Sequence, residues 1–448
     1  MSGSPLNRLS WLRPSPVFLN ALATHPQTSF ILLRAGAPLT AYTSPTNRLV
    51  RLPRAAVQLL LGPDPLFGQL KDDYEGETKI PILESARFHG APLVFLGVHE
   101  TGSNDFPSST DPAELALSIN GTPYFTVDAS EADEKEVERL LEAAREVNPG
   151  AKVSFGEARA AMRGMGAFDA GVFAAARSMV DWNGRNKFCA ACGAPQYSLW
   201  AGWKLGCSSL LPWVDNAGRK SCPTATGLHN IAHPRTDGVV IMAVVNEAND
   251  QILLGHNKKF PGKFYSALAG FIEPGESFED AVRREILEEA GIHVWNVRYH
   301  STQPWPYPAN LMVGFFATGD PAEPVRTDLD DELADARWFS RAEILTVLAH
   351  PEGTNMTRRD HARIARIIDG QSNVVPRVSG DAPLAGDAAQ AQAAQAGDKV
   401  EKTAEEDDPL IRVPPETAIA GVLIADWAHG RFPAPQSAGA GASVKGNL

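Results

Sequence analysis

The stretch GFIEPGESFEDAVRREILEEAGI, which runs from Gly270 to Ile292, decides the fold of this chain. Ser277 followed three residues later by Asp280 is a capping-box start, and Gly291 is a typical stop signal at a helix C-terminus. These signals predict a helix from about Phe278 to Ala290, with apolar residues at helical spacing. We therefore expect one face of this helix to pack against a core.

Three glutamates lie on or beside that apolar face. Glu285 and Glu289 fall inside the apolar stripe, and Glu288 lies at its margin. Their i, i+3, i+4 spacing brings like charges together, and unpaired buried carboxylates are costly. Oxygen ligands suit Mg2+ or Mn2+ better than zinc, so the cluster predicts a divalent cation site. The alternative interpretation is a solvated acidic face paired with Arg283 and Arg284.

Composition limits the class of protein. The chain has 448 residues, enough for two or three domains, and its formal net charge of -12 argues against a general nucleic-acid-binding surface. The longest apolar run, Val239 to Val245, is too short to span a bilayer, and the N-terminus lacks a signal-peptide pattern. We expect a soluble intracellular protein.

The four cysteines are clustered in sequence. Their spacing is Cys189-x2-Cys192-x14-Cys207-x14-Cys222. In an intracellular chain this pattern favours a closed, structural zinc site over disulfides. His229 or His233 is an alternative fourth ligand if Cys222 does not bind.

Regular secondary structure is predicted on both sides of the cysteines. Before them, apolar runs predict strands, and helices are expected at Glu131–Val147 and about Phe155–Asp181. No motif in this region carries a chemical mechanism. The region is therefore interpreted as a packing or dimer-forming domain. After them, we predict strands at Asp237–Asn246, Gln251–Gly255, Ser266–Phe271 and from about Leu311, a strand-like segment at ARWF, and a helix at Arg341–Ala349.

Two further segments have distinctive compositions. In TQPWPYPAN, prolines at 304, 306 and 308 predict an extended segment without internal hydrogen bonds, in which Trp305 and Tyr307 either stack on a base or nicotinamide ring or simply pack. Residues 371–409 are low in complexity, which predicts disorder. In the segment that follows, Ala418, Val422, Ile424 and Trp427 suggest an amphipathic helix.

These motifs together resemble a known family. Gly270, Glu276 and the run from Arg284 to Ile292 match the fixed positions of the Nudix box. The upstream cysteines and TQPWPYPAN, which is similar to the pattern SQPWPFPxS, narrow the resemblance to the NADH pyrophosphatase family of Nudix hydrolases. Thr302, Tyr307 and Asn310 depart mildly from that pattern, and His233 stands where many members have tyrosine.

The resemblance implies an α/β fold: a Nudix α/β/α sandwich preceded by a zinc ribbon and an N-terminal mixed α/β domain. The expected divisions are 1–185 for the N-terminal domain, 186–233 for the ribbon, 234–370 for the Nudix domain, 371–409 for an inserted segment, 410–430 for a C-terminal helix of the Nudix domain, and 431–448 for a flexible tail.

The resemblance also implies functional residues. The Mg2+ or Mn2+ ligands would be Glu285, Glu288, Glu289 and Glu332, and the zinc ligands Cys189, Cys192, Cys207 and Cys222. Catalysis would involve the three helix glutamates, with Glu288 or Glu289 as general base, together with Arg284, which orients them, and Glu276. Gly270 and Gly275 are expected to permit the turn that brings Glu276 to the site. The dinucleotide pocket would use Gln303, Pro304, Trp305, Pro306, Tyr307, Pro308, Ala309, Asn310, Ala269, Phe271, His233 and Ala420.

The expected reaction is metal-dependent hydrolysis of NADH or NAD+ to NMN(H) and AMP, with NAD-capped RNA as a second substrate. The alternatives are another Nudix substrate, such as ADP-ribose or a diadenosine polyphosphate, and a non-catalytic scaffold that binds nucleotide or RNA. A homodimer is expected, with no membrane partner. The chain ends in Gly-Asn-Leu, which shares only Leu448 with the peroxisomal Ser-Lys-Leu signal. Because eukaryotic members of the family are often peroxisomal, the resemblance implies a peroxisomal or a cytoplasmic location.

Overall fold

The chain forms two compact units in a computed structural model that describes residues 5–68, 92–101, 111–211, 213–225, 231–232, 234–260, 262–273, 275–329, 332–355 and 409–432. The first unit comprises Met1–Thr236 together with Pro304–Asn310, and the second comprises Asp237–Gln303 together with Leu311–Leu448. In the described part of the chain, no helix combines the length and apolar character needed to cross a membrane. The predicted inserted segment and most of the predicted tail lie outside the described residues.

A six-stranded mixed sheet forms the centre of the first unit. Its strands are β1 (Ser29–Arg34), β2 (Ala37–Thr43), β3 (Thr46–Leu49), β4 (Leu93–Glu100), β5 (Gly121–Asp128) and β6 (Lys152–Phe155). Their order is β3-β2-β1-β5-β4, with β6 paired to β2, and β1 runs parallel to β5. Alternate residues of β1 enter two cores, since Phe30 packs on one face and Ile31 on the other. The sheet is therefore covered on both faces, as expected for an α/β layer structure.

Six helices cover this sheet. They are α1 (Pro16–Thr24), α2 (Arg54–Val57), α3 (Pro112–Leu117), α4 (Glu134–Val147), α5 (Ala158–Met162) and α6 (Ala167–Arg185). The helix expected from Glu131 begins at Glu134, because Asp133 and Glu136 form a capping box. The single helix expected over Phe155–Asp181 is wrong, since α5 ends before Gly164, which adopts a φ of +80°.

A small three-stranded sheet contains Cys207, one of the four cysteines. It consists of β7 (Gln196–Leu199), β8 (Lys204–Cys207) and β9 (Ile231–Ala232), with 3-10 turns at Ser208–Leu210 and Pro223–Ala225. The hairpin between β7 and β8 docks on β4 of the first unit. Phe95 N–H donates to Ala201 O at 3.2 Å, and Trp203 Nε1 donates to Phe95 O at 2.6 Å. The ribbon is thus joined to the sheet by backbone carbonyl acceptors.

The second unit is a six-stranded sheet with helices on both faces. Its strands are β10 (Asp237–Val245), β11 (Gln251–Asn257), β12 (Leu268–Phe271), β13 (Val294–Trp305), β14 (Asn310–Gly319) and β15 (Leu333–Ser340), in the order β13-β14-β10-β11-β15 with β12 on β10. The helices of its described residues are α7 (Phe278–Ala290), α8 (Arg341–Ala349) and α9 (Ile419–Ala428). This arrangement confirms the predicted α/β sandwich. Ser266 pairs with Gly255 only as an isolated bridge, so β12 begins later than predicted.

Two of the predicted helices differ in outcome. Helix α7 has the predicted bounds, with Ser277 accepting from Asp280 N–H and Gly291 in the left-handed conformation. Helix α9 is not amphipathic as predicted. All its residues are buried except Val422 and Asp426, which are half-buried. Since it lies against both β10 and α8, nearly its whole circumference is covered.

The proline-rich segment is extended, as predicted, only as far as Trp305, where β13 ends, and it forms a turn over residues 306–309. Tyr307 keeps a backbone N–H between two prolines and donates it to Trp305 O at 2.8 Å. Prolines remove only their own donors, so the intervening residue still closes the turn. The turn ends where β14 begins at Asn310.

Candidate metal centres and active site

A glycine in β12 makes room for the first glutamate of α7. Gly270 pairs with Val240 in the sheet, and a Cβ added at this position would overlap the carboxylate of Glu285. The role expected for Gly270 in a tight turn is therefore wrong, because it lies within a regular strand. Gly275 does adopt a positive φ of 99° in the loop that precedes α7. The backbone of β12 thus forms a cradle that only glycine leaves open for a carboxylate.

Arg284 connects the acidic side chains around this cradle. Its Nε and Nη2 donate to the two carboxylate oxygens of Glu276 at 2.6 and 2.9 Å. Its Nη1 donates to Glu285 at 2.8 Å and to Glu288 at 2.9 Å, and Nη2 also donates to Phe271 O at 2.8 Å. The planar guanidinium suits this fork of bonds, which fixes the positions of the carboxylates.

The three helix glutamates differ in burial in the way that the apolar stripe predicts. Glu289 is 4% exposed, and the side chains of Glu285 and Glu288 are 12% and 49% exposed. Burial raises the pKa of Glu285, and the nearby charges of Glu288 and Glu332 raise it further against the opposing effect of Arg284. A buried carboxylate with a raised pKa binds a proton or a cation more readily than a solvated one.

Glu276 has the opposite electrostatic environment. Hydrogen bonds from the Arg284 guanidinium, and then from Glu273 N–H at 2.9 Å, lower the pKa of Glu276 to about 2. The same contacts raise the pKa of Arg284 above its usual value. Both oxygens of Glu276 are engaged by these donors, so its geometry is that of a residue that positions Arg284.

The fourth expected carboxylate is brought in by β15. Glu332 lies just before this strand, and Asn257 Nδ2 donates to Glu332 Oε1 at 2.7 Å. A register shift between His256 and Asn257 interrupts the pairing of β11 with β15 at this point. Such bulges redirect a side chain at a strand end. Asn257 was not among the residues expected at the site, because it is separated from Glu332 by 75 positions and belongs to no motif.

The residues expected in the dinucleotide pocket are divided between the two compact units. In the second unit, Phe271 is 56% exposed and Ala420 is 6% exposed, and Ala269 pairs with Ile241 in the sheet. The amide of Gln303 donates to Thr417 O at 2.9 Å and accepts from Ile419 N–H at 2.8 Å. Gln303 therefore caps the start of α9, and Phe271 is the expected pocket residue that presents an open ring.

The remaining pocket candidates, Pro304 to Asn310, belong to the first unit. Tyr307 is 6% exposed, its hydroxyl lies 3.0 Å from Met162 Sδ, and the guanidinium carbons of Arg159 and Arg177 lie 3.9 and 4.8 Å from its ring centroid. Trp305 lies 5.2 Å from Tyr307, centroid to centroid. Tyr307 is thus enclosed by protein side chains. His233 lies outside the described residues.

The four cysteines converge in the first unit. Their Sγ atoms all lie within 4.8 Å of one another, with Cys189 to Cys222 at 3.9 Å and Cys192 to Cys207 at 3.5 Å. Four sulfurs around zinc at about 2.3 Å stand about 3.8 Å apart, so the cluster fits a tetrahedral thiolate site. Among the described residues, no other group of three or more His, Cys, Asp or Glu side chains brings its ligand atoms together in this way.

The thiols of this cluster differ in acidity. Burial raises the pKa of Cys207 to about 12. Burial acts in the same direction on Cys222, but hydrogen bonds from the hydroxyl and backbone of Thr224 lower its pKa to about 7. Cys222 joins the other three cysteines in the structure, and its thiolate forms closer to neutral pH than that of Cys207. The donor set is the one that zinc prefers in closed sites.

The sandwich of the second unit and its glutamate helix define the class of protein as a Nudix hydrolase. A family model described as the NUDIX domain matches residues 234–359, and one described as the NADH pyrophosphatase-like rudimentary NUDIX domain matches residues 27–182. Both matches cover sheets described above, one in each compact unit.

Relatives with similar sequences identify the family within the Nudix hydrolases to which the chain belongs. The chain is 33% identical over 350 residues to the NAD-capped RNA hydrolase of Schizosaccharomyces pombe, covering 78% of this chain and 84% of that protein. It is 32% identical over 357 residues to the NAD-capped RNA hydrolase NPY1 of Saccharomyces cerevisiae, covering 77% and 85%. The match to NAD-capped RNA hydrolase NUDT12 of Homo sapiens is 44% identical over 180 residues but covers 36% of that protein. The chain belongs to the NADH pyrophosphatase family of Nudix hydrolases.

Proposed function

We propose that this protein hydrolyses the pyrophosphate bond of NAD(H) to give NMN(H) and AMP, and that it removes NAD caps from RNA. The observation that carries the proposal is the Glu285 carboxylate held in the Gly270 cradle by Arg284, beside Glu288 and near Glu332. The fungal relatives named for hydrolysis of NAD-capped RNA support it across most of their length.

The oxygen donors at the cradle fit a hard divalent cation, and we propose that Glu285, Glu288, Glu289 and Glu332 hold Mg2+ or Mn2+. When bound, such a cation neutralises charge on the pyrophosphate and lowers the pKa of a coordinated water. Arg284 keeps the carboxylates in place, and Phe271 offers its exposed ring to a base or nicotinamide. Either Glu288 or Glu289 accepts the proton of the attacking water.

The decisive measurement is AMP release from NADH, NAD+, ADP-ribose and NAD-capped RNA, with and without Mg2+ or Mn2+. We expect metal-dependent release that is abolished in Glu289→Gln and retained in Glu279→Gln, an exposed glutamate in the first turn of the same helix. A faster reaction with ADP-ribose than with NADH would favour the other Nudix substrates. Full activity of a folded, metal-replete Glu289→Gln protein would contradict the assignment.

We propose that Zn2+ is held by Cys189, Cys192, Cys207 and Cys222 in a ribbon over residues 186–233. A closed site with four protein ligands has no open position for substrate, so its role is to stabilise the fold. Metal analysis of the purified protein tests this assignment, with about one zinc per chain as the expected result. Protein free of zinc that melts at the same temperature as the zinc-loaded protein would contradict it.

We also propose a homodimer located in the peroxisome or the cytoplasm, on the basis of the family resemblance. Light scattering of the purified chain would distinguish a dimer from a monomer. A fluorescent reporter fused to residues 439–448 would report whether this segment directs import into peroxisomes, and a diffuse signal would favour the cytoplasm.

A further inference from the structure

A cluster of buried cations in the first unit is held by aromatic rings. We call it the tryptophan patch and define it by Arg8, Arg13, Trp200, Trp203 and Lys204. The guanidinium carbons of Arg13 and Arg8 lie 4.2 and 5.1 Å from the ring centroid of Trp203, and Lys204 Nζ lies 3.3 Å from that of Trp200. Three cations are thus stacked on two indoles of one hairpin.

The patch lacks the negative charge that usually accompanies buried cations. Arg13 and Lys204 are each 9% exposed, and Arg13 Nε has no hydrogen-bond partner. Arg8 donates to the neutral acceptor Leu96 O at 2.9 Å. No carboxylate of the described residues forms an ion pair with these three cations. Buried charges are normally paired, so this cluster departs from the usual pattern.

The environment disfavours the charged forms of these side chains. Burial, and then the charge of Arg8, lowers the pKa of Arg13 to about 10. Burial likewise lowers the pKa of Arg8 and of Lys204. Cation–π contacts offset part of this cost, and an anion bound beside the guanidinium groups would offset more of it. The patch is therefore arranged for an anionic group that is not part of the described protein.

The hairpin that carries the indoles is fixed in place. Trp203 Nε1 donates to Phe95 O at 2.6 Å, and Asn183 Nδ2 donates to Gly202 O at 3.1 Å. A Cβ added at Gly202 would meet Val94 at 2.6 Å, so the hairpin approaches β4 closely. Trp11, which lies between the two arginines in sequence, is 61% exposed. Cations and aromatic rings on a rigid support are the two components of single-strand nucleic acid sites.

We infer that the tryptophan patch binds phosphodiester groups of the RNA that follows an NAD cap. This inference rests on the proposed function, since the RNA that it invokes is part of the same proposed substrate. A chain with a net charge of -12 repels RNA over most of its surface, so binding requires a local cationic site. Arginine recognises phosphate oxygens by paired hydrogen bonds, and the exposed ring of Trp11, next to the patch in sequence, can stack on a base without regard to its identity.

The test compares a substrate that has an RNA body with one that lacks it. In Arg13→Gln, we expect the KM for an NAD-capped oligoribonucleotide to rise about 10-fold, while kcat/KM for NADH changes less than about 2-fold. The slope of log KM for the RNA against log salt should fall by about 1. The matched control is Arg145→Gln, which removes the same charge from an exposed arginine paired with Glu138 at 2.8 Å.

The possible results distinguish a failure of this inference from a failure of the proposed function. Wild-type kinetics of Arg13→Gln and Lys204→Gln on both substrates would overturn the patch while leaving the hydrolase intact. If the wild-type protein releases no AMP from either substrate, the proposed function fails. Fluorescence anisotropy with uncapped single-stranded RNA then tests the patch alone, and equal affinity of wild type and Arg13→Gln overturns it. If Arg13→Gln fails to fold, Lys204→Gln carries the same comparison.

Discussion

The cysteine cluster and the glutamate helix hold groups of like chemical type close together in two different ways. In the first unit, the four Sγ atoms lie within 4.8 Å of one another. In the second, the Arg284 guanidinium lies among the carboxylates and bonds to Glu276, Glu285 and Glu288. The thiols have the geometry of one closed coordination sphere, whereas the carboxylates are held at fixed positions around a protein cation.

This difference corresponds to two kinds of metal chemistry. A closed tetrahedral site satisfies its ion with protein ligands and contributes to folding, because the cluster cannot form in the unfolded chain. A hydrolytic site must leave coordination positions for water and phosphate oxygens. An arginine that restrains the carboxylates lets them remain close without closing around an ion. We therefore expect variants in the first cluster to affect stability and variants in the second to affect turnover.

Replacement of Cys222 should have the largest effect. Cys222→Ser removes one of the four thiolate ligands, and structural zinc sites contribute about 10 kcal/mol or more in small domains. We expect zinc content to fall well below one ion per chain and the melting temperature to drop by more than about 10 °C. Ser221→Ala, at the exposed neighbouring position, is the control. Unchanged zinc content and melting temperature would contradict the expectation that the cysteine cluster, unlike the glutamate cluster, stabilises the fold.

Replacement of Gly270 should have the next largest effect, and it should act on catalysis. The added Cβ of Gly270→Ala would overlap the Glu285 carboxylate, so we expect kcat/KM for NADH to fall about 1000-fold, equivalent to about 4 kcal/mol. Gly184→Ala is the control, because its Cβ would meet nothing within 4 Å.

A double variant shows whether the overlap with Glu285 is the cause. In Gly270→Ala with Glu285→Ala, the overlapping carboxylate is absent, so the melting temperature should recover relative to Gly270→Ala while activity stays low. If the double variant is no more stable than Gly270→Ala, the need for glycine at this position does not come from the space that Glu285 occupies.

The sequence predicts those features whose determinants are local. The bounds of α7 follow from Ser277 and Gly291, both adjacent to the helix, and the burial order of its glutamates follows from helical spacing. The α/β class follows from the family resemblance that the Nudix box indicates. These signals need no information about residues distant in sequence.

Other features depend on contacts that spacing does not reveal. From the sequence, Gly270 is predicted to permit a turn. Its pairing in β12 shows instead that it faces Glu285. The enclosure of Tyr307 depends on Met162, which lies 145 positions away. The buried circumference of α9 likewise requires β10 and α8 on separate sides. Long-range packing of this kind overrides local pattern, and it accounts for most of the differences between prediction and structure.

A conservative change at Arg284 tests whether the protein cation orders the carboxylates. Lysine keeps the charge in Arg284→Lys but cannot reproduce the bidentate contact to Glu276 together with the bonds to Glu285 and Glu288. We expect kcat to fall about 10- to 100-fold. Arg283→Lys is the matched control, since the neighbouring Arg283 donates to Asp280 at 3.2 Å. Equal kcat values for the two variants would mean that charge alone suffices.

The smallest expected effect concerns Asn257, which donates to Glu332 at 2.7 Å and accepts from Lys259 N–H at 2.9 Å. In Asn257→Ala, Glu332 loses the donor that orients it, and supporting residues of this kind change metal affinity or activity about 10-fold. We therefore expect the Mg2+ concentration for half-maximal activity to rise about 10-fold, with kcat at saturating Mg2+ largely kept.

Asn355→Ala removes the same kind of bond, from an asparagine amide to Glu352 at 3.0 Å, and should leave Mg2+ activation unchanged. A loss of kcat that saturating Mg2+ does not restore in Asn257→Ala would place Asn257 in support of the fold. A selective change in Mg2+ activation would instead show that the second cluster, unlike the cysteine cluster, depends on neutral hydrogen bonds from a neighbouring strand to assemble its outermost ligand.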